Sequence, residues 1–178
     1  MGKVKKSDVI DWVKTFAYPI IVAFLILLII RPTVVREYSM YPTINEDDYV
    51  IVFKLAYLLG EPEYGDIIVF ESDLKLDETH NKYLIKRIIA TEGDTIEVSD
   101  GVVYLNGEAL EEDYINGDTT TGLVEEMIVP EGQVFVMGDN RPSSVDSRDP
   151  SVGLVDEDRI MGKVILRLYP FDQIGSVY

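Results

Sequence analysis

The chain has 178 residues, enough for one domain with a real core plus a membrane-spanning segment. It has no cysteine and one histidine, His80, so disulfides and thiolate metal sites are excluded and a zinc site would need carboxylates for its other ligands. The net charge of −16 is uneven: residues 1–36 carry six basic and two acidic side chains, leaving 10 basic and 30 acidic ones beyond them. That outer net charge of −20 repels phosphate backbones and disfavours nucleic-acid binding, while favouring solubility.

Met1–Lys6 is short and basic. From Val9 to Ile30 the chain is largely apolar, and Ala17–Ile30 carries no charge. The uncharged part alone is short of the roughly 20 residues a helix needs to cross a bilayer. A start near residue 9 supplies the length if Asp11 and Lys14 lie at the interface, where Trp12 and Tyr18 also suit the headgroups. Pro19 is tolerable in a membrane helix. The following Arg31-Pro32-Thr33-Val34-Val35-Arg36 offers no small-x-small cleavage site. Ile21–Ile30 is apolar all round, which leaves no solvent face for a helix of a soluble domain. This predicts a cytoplasmic basic N-terminus over 1–14, an uncleaved transmembrane anchor over 15–32, and an extracytoplasmic domain over 37–178.

The outer domain reads as mostly β. Tyr49–Phe53, Asp66–Phe70, Tyr83–Ala90, Asp94–Val98, Val102–Leu105, Glu125–Val129, Gln133–Met137 and Ile160–Tyr169 are short runs rich in β-branched and aromatic residues. Ser99-Asp100-Gly101, Asn106-Gly107 and Pro130-Glu131-Gly132 punctuate them as turns. Glu71–Lys82 reads as a polar surface excursion, Glu108–Gly122 as an acidic loop, and Lys54–Gly60 as a helical turn or apolar loop. Val50–Phe53 and Leu55–Leu59 are core, or a patch that dips into lipid. The expected fold is an N-terminal transmembrane helix followed by an antiparallel β domain, a folded-over sheet or partial barrel.

Three stretches carry candidate chemistry, each with an ordinary structural alternative. In Ser39-Met40-Tyr41-Pro42-Thr43, Pro42 biases Tyr41 away from helix, which predicts an extended backbone holding an exposed serine. It could equally be a plain turn. Without cysteine, and with one histidine in a polar stretch, a nucleophilic serine needs a lysine base whose pKa is lowered by burial. Lys86 lies mid-strand in Leu84-Ile85-Lys86-Arg87-Ile88-Ile89, where alternation puts Lys86 on one face and Arg87 on the other. Arginine cannot serve as the base, so chemistry selects Lys86, whereas a lysine on a sheet edge would be exposed and inert. Gly138–Arg148 is dense in hydrogen-bonding groups; it is either an elaborate turn with Asp146 and Arg148 paired, or a support that orients the lysine.

Taken together in this order, the Ser39–Thr43 block after an anchor, Lys86-Arg87-Ile88-Ile89 with Glu92-Gly93-Asp94, and Gly138–Arg148 resemble the bacterial type I signal peptidases, in the short Gram-positive form. The resemblance implies a membrane-anchored serine endopeptidase that removes signal peptides from exported preproteins after small residues, of the Ala-x-Ala type. It implies Ser39 as nucleophile and Lys86 as general base. It further implies Ser144 as a hydrogen-bond partner of the lysine amine, Asp146 and Arg148 as an ion pair holding the site, and Met40 packed beside the nucleophile. No cofactor or metal is implied. The partners implied are preprotein signal peptides and the lipid bilayer, near the translocation machinery. One departure stands out: relatives often carry Ser, Thr or Gly two residues before the nucleophile, and this chain has Glu37, which cannot donate to an oxyanion. Other readings are an inactive relative that acts as an assembly factor for surface proteins, or a self-cleaving Ser-Lys peptidase of the repressor type.

Overall fold

The structure is a computed structural model that describes residues 6–117 and 119–177. Helix α1 spans Lys6–Ile29, with Pro19 inside it. The first five residues of the expected basic N-terminus lie outside the described residues. Its segment Asp11–Ile29 is long and apolar enough to cross a membrane, and none of it is buried by the rest of the chain.

The helix stops three residues before the expected boundary at 32. Ile30–Val34 is strand β1, antiparallel to β2, Tyr49–Phe53, with Pro32 opposite Ile51. A proline cannot donate to a ladder, and β1 tolerates it because it is an edge strand. The other elements are α2 (Ala56–Leu59), β3 (Ile67–Lys75), β4 (Asn81–Ala90), β5 (Thr95–Ser99), β6 (Val102–Leu105), β7 (Glu108–Ala109), β8 (Val124–Ile128), β9 (Gln133–Met137), β10 (Val155–Asp156) and β11 (Ile160–Tyr169). They form a seven-stranded sheet in the order β1-β2-β11-β3-β4-β9-β10 and a four-stranded sheet in the order β7-β6-β5-β8. Every pairing is antiparallel, and neither sheet closes into a barrel.

The expected polar excursion over Glu71–Lys82 is instead a hairpin, because β3 runs on to Lys75 and β4 begins at Asn81. Its charges sit on the solvated part of paired strands: Asp73 and Lys75 are exposed, whereas Ser72 is buried and donates to Lys82 O at 2.7 Å. The acidic segment after Glu108 is mostly loop, opened by the two-residue β7.

Three clusters make the core. Met40, Ile44, Val50, Val52, Ile67 and Val69 pack on one face of the large sheet. Ile68, Phe70, Leu84, Ile88, Val134 and Val136 pack on the other. Ile89, Ala90, Phe135 and Met137 join Ile96, Val98 and Val103 of the small sheet. Because β4 lies between β3 and β9 and contributes to both sides, the polar residues in its central part, Lys86 and Arg87, are covered.

Candidate active site

Position in the sheet decides the fate of the two cations on β4. Lys86 is 1% exposed and Arg87 5%, so neither is a surface residue and the strand is not an edge. Lys86 Nζ donates to Ser39 Oγ at 2.7 Å and to Ile85 O at 2.9 Å. Burial pushes the Lys86 amine down to about 8, with Lys82 and Arg148 adding to the fall while Asp146 and Glu37 oppose it. A lysine in that range has a substantial neutral fraction near neutral to mildly alkaline pH, and a neutral amine can accept the Ser39 Oγ proton.

Ser39 differs from its expected setting in two respects. It is 8% exposed rather than presented to solvent. The backbone after it is a turn rather than extended, with Tyr41 N–H donating to Tyr38 O at 3.2 Å and Ile44 N–H to Met40 O at 2.9 Å. Those bonds outweigh the extended bias from Pro42 and bury Met40 at 1% exposure beneath the serine. Among the described residues no acceptor is bonded to the Ser39 N–H, which leaves it able to donate to an oxyanion.

The block after β9 grips this turn from the far side. Asn140 N–H donates to Ser39 O at 3.0 Å and Asn140 Nδ2 to Tyr38 O at 2.9 Å. Asp146 is fully buried and receives Gly138 N–H at 2.9 Å and both Arg148 Nε and Nη2 at 2.8 Å. Burial alone would raise the Asp146 carboxyl, but Arg148 and the Gly138 N–H outweigh it and hold the group below its ordinary value. Ser144 is not bonded to Lys86. Its Oγ is packed against Gly138 and, among the described residues, is the buried side-chain oxygen left without a hydrogen-bond partner. The amine is satisfied by Ser39 and Ile85 instead.

Gly138 is the hinge of this packing. A Cβ at that position would collide with Ser39 O and Ser144 Oγ. Gly138→Ala is therefore expected to displace the serine from the lysine, lowering activity at least about a hundredfold and stability by about 1–3 kcal/mol. Steady-state kinetics with a thermal melt of the same preparation checks both.

Several supporting residues escaped sequence reasoning. Asp139 is fully buried and accepts Arg87 Nε at 2.9 Å and Nη2 at 2.7 Å, a bidentate pair that also engages Thr43. The Arg87 guanidinium also lies 4.1 Å over the Tyr114 ring. Arg141 donates to Glu112 at 2.6 Å and 2.8 Å and to Thr120 Oγ1 at 2.7 Å, which ties the acidic loop to the site. The adjacency of Arg87 to Lys86 and of Asp139 to Gly138 was a usable signal; nothing in the sequence pointed to Glu112 or Thr120. Glu37, the departure noted above, forms an ion pair with Lys82 of β4. His80 stands at the hairpin tip with its side chain 70% exposed and pairs with Asp77, so it takes no part here.

The site thus joins a buried amine to a serine hydroxyl, with the lone histidine elsewhere. The chain belongs to the signal peptidase family, peptidase S26, whose match spans residues 9–169. It is 34% identical over 180 residues to signal peptidase I of Bacillus licheniformis, covering 96% of this chain and 94% of that protein. It is 33% identical to signal peptidase I T of Bacillus subtilis, covering 97% and 92% respectively. Signal peptidase IB of Staphylococcus aureus is 31% identical, with 94% of this chain and 93% of that protein covered. A crystal structure of a signal peptidase I from Enterococcus faecalis is 32% identical and matches with a TM-score of 0.47 over 58% of this chain and 97% of that one.

Proposed function

We propose that this chain is a membrane-anchored endopeptidase that removes signal peptides from exported preproteins, with Ser39 as nucleophile and Lys86 as general base. The observation that carries this reading is the 2.7 Å contact between Lys86 Nζ and Ser39 Oγ in a family of signal peptidases. Neutral Lys86 accepts the Oγ proton as Ser39 attacks the scissile carbonyl, and the Ser39 N–H donates to the oxyanion. The tetrahedral adduct collapses, the C–N bond breaks, and Lys86 returns the proton to the leaving amine. Lys86 then takes a proton from water as that water attacks the acyl-serine ester; the second adduct collapses, the acyl–Oγ bond breaks, and Lys86 returns the proton to Ser39 Oγ.

An apolar cavity of about 260 Å³ beside Ser39, bordered by Val34, Val35, Met40, Val69 and Ile85, gives an apolar side chain before the cut a place to bind. A second cavity of about 190 Å³ adjoins the serine on the side of Leu84 and Val145. The preference for small residues before the cut is proposed from the chain's likeness to the signal peptidases, not from the volumes of these cavities. Helix α1 would span the bilayer with the basic N-terminus in the cytoplasm and the β domain outside, near the translocation machinery.

The deciding test is cleavage of a detergent-solubilised preprotein with an Ala-x-Ala site by the wild-type chain and by Ser39→Ala. Cleavage at that site, lost in the variant, is the expected result; cleavage that survives the substitution would overturn the assignment. The rate should also fall about tenfold per pH unit below about 8, because only the neutral lysine is competent and its amine is held near that value. A rate that stays flat down to about pH 5 would exclude a lysine base.

A further inference from the structure

Glu37 and Lys82 line both cavities that adjoin Ser39, so their ion pair is the partition the two share. Glu37 lies two residues before Ser39, on the segment leaving β1. Lys82 is the second residue of β4 and, by alternation, is on the same face as Lys86. A lone carboxylate at this position is adverse twice. It favours the charged form of Lys86, which cannot take a proton, and it opposes negative charge on a carbonyl oxygen attacked by Ser39.

Four charged groups act on Lys86 through space: Asp146, Glu37, Lys82 and Arg148. Asp146 and Arg148 are bonded to each other, and so are Glu37 and Lys82, so the amine is framed by two internally neutral pairs. The first pair is buried, whereas the second is partly solvated, with side-chain exposures of 42% for Glu37 and 34% for Lys82. Water therefore softens the second pair without abolishing its field.

We propose that Lys82 is a positioning residue for the reaction at Ser39: it neutralises Glu37, so that this carboxylate neither charges the lysine base nor repels the oxyanion. The proposal rests on the Ser39–Lys86 mechanism above. It also explains how a chain with an acidic residue before its serine retains a workable site.

The test measures kcat and KM for a detergent-solubilised Ala-x-Ala preprotein from about pH 6 to about pH 10. The proteins are wild type, Lys82→Gln, Glu37→Gln and the double variant, with Ser39→Ala alongside. Lys82→Gln exposes the bare carboxylate, so its acid limb should move up by about half a pH unit and its kcat fall roughly threefold to tenfold below pH 8, with KM little changed. Adding Glu37→Gln should recover most of that loss and bring the limb back down. A bridge needed only for shape predicts the reverse, because the double variant lacks it as completely as the single one. An unaltered profile in Lys82→Gln, or a double variant as impaired as the single, overturns the proposal. A wild-type chain that does not cleave, or Ser39→Ala that does, overturns the mechanism beneath it instead.

Discussion

Lys86→Arg is expected to reduce cleavage of an Ala-x-Ala preprotein by at least about a thousandfold, as severely as Lys86→Met. Arginine keeps the positive charge and can still donate to Ser39, but it cannot lose a proton at accessible pH, so it cannot be the base. Retention of most activity by the arginine variant would remove Lys86 from that role. Lys86→Met separates catalysis from folding. The folded amine titrates near 8 against an ordinary 10.5, so charging it is unfavourable in the folded state. That penalty, roughly 3 kcal/mol, is fully present below about pH 8 and disappears as pH rises through the unfolded value. The methionine variant escapes it and should melt on the order of 5 °C higher at neutral pH, with the difference shrinking toward pH 10. A dead enzyme that is more stable than wild type is the signature of a residue buried for chemistry.

The second large effect is structural. Asp146→Ala should cost about 3–5 kcal/mol, because it removes the counter-ion of the Arg148 guanidinium at 7% side-chain exposure, leaving it Arg141 O and Thr121, and leaves the Gly138 N–H without its acceptor. Activity should fall with it, since Gly138 sets the distance between the gripping block and the Ser39 carbonyl. The pH dependence has the opposite sense to that of Lys86. The Asp146 carboxyl is held below its ordinary value, so its contribution is complete above the unfolded carboxylate range and is lost as pH falls through the lowered folded value. Denaturant melts of wild type and variant should therefore differ most at neutral pH and converge in acid. A constant gap down to strongly acid conditions would contradict the assigned ion pair.

Eight strands of the β domain were legible from sequence because alternation and turn punctuation are local signals, whereas β1, β7 and β10 were not. What was not legible depends on contacts between distant segments. Pro32 argues against a strand on local grounds, yet Ile30–Val34 is one, because β2 supplies a ladder and the edge position excuses the missing N–H. Glu71–Lys82 looked polar throughout, but register with the opposing strand, not polarity, extends β3 and β4. The Ser39–Lys86 pair was readable from chemistry and family likeness, although Lys86 on strand pattern alone passes for an exposed edge residue. Its burial follows from β4 lying inside the sheet, which no five-residue window reveals. Glu112 and Lys82 were missed for the same reason: an acidic loop residue and a lysine near a turn have no local mark of their partners.

Helix α1 ends at Ile29 and β1 begins at Ile30, and the Lys54 N–H donates to the Ile29 carbonyl across this join at 2.9 Å. No slack chain separates the span from the sheet. With α1 in a bilayer, as proposed, Ser39 is carried on a short bracket rather than a leash, and β1 and the turn that follows limit its height above the lipid. A catalytic head on a leash would sample many heights and cut wherever a suitable dipeptide appeared. A bracketed one meets each passing chain within a narrower band of heights, so the distance from a substrate's own apolar stretch to its cut point would be screened before any side chain enters a pocket.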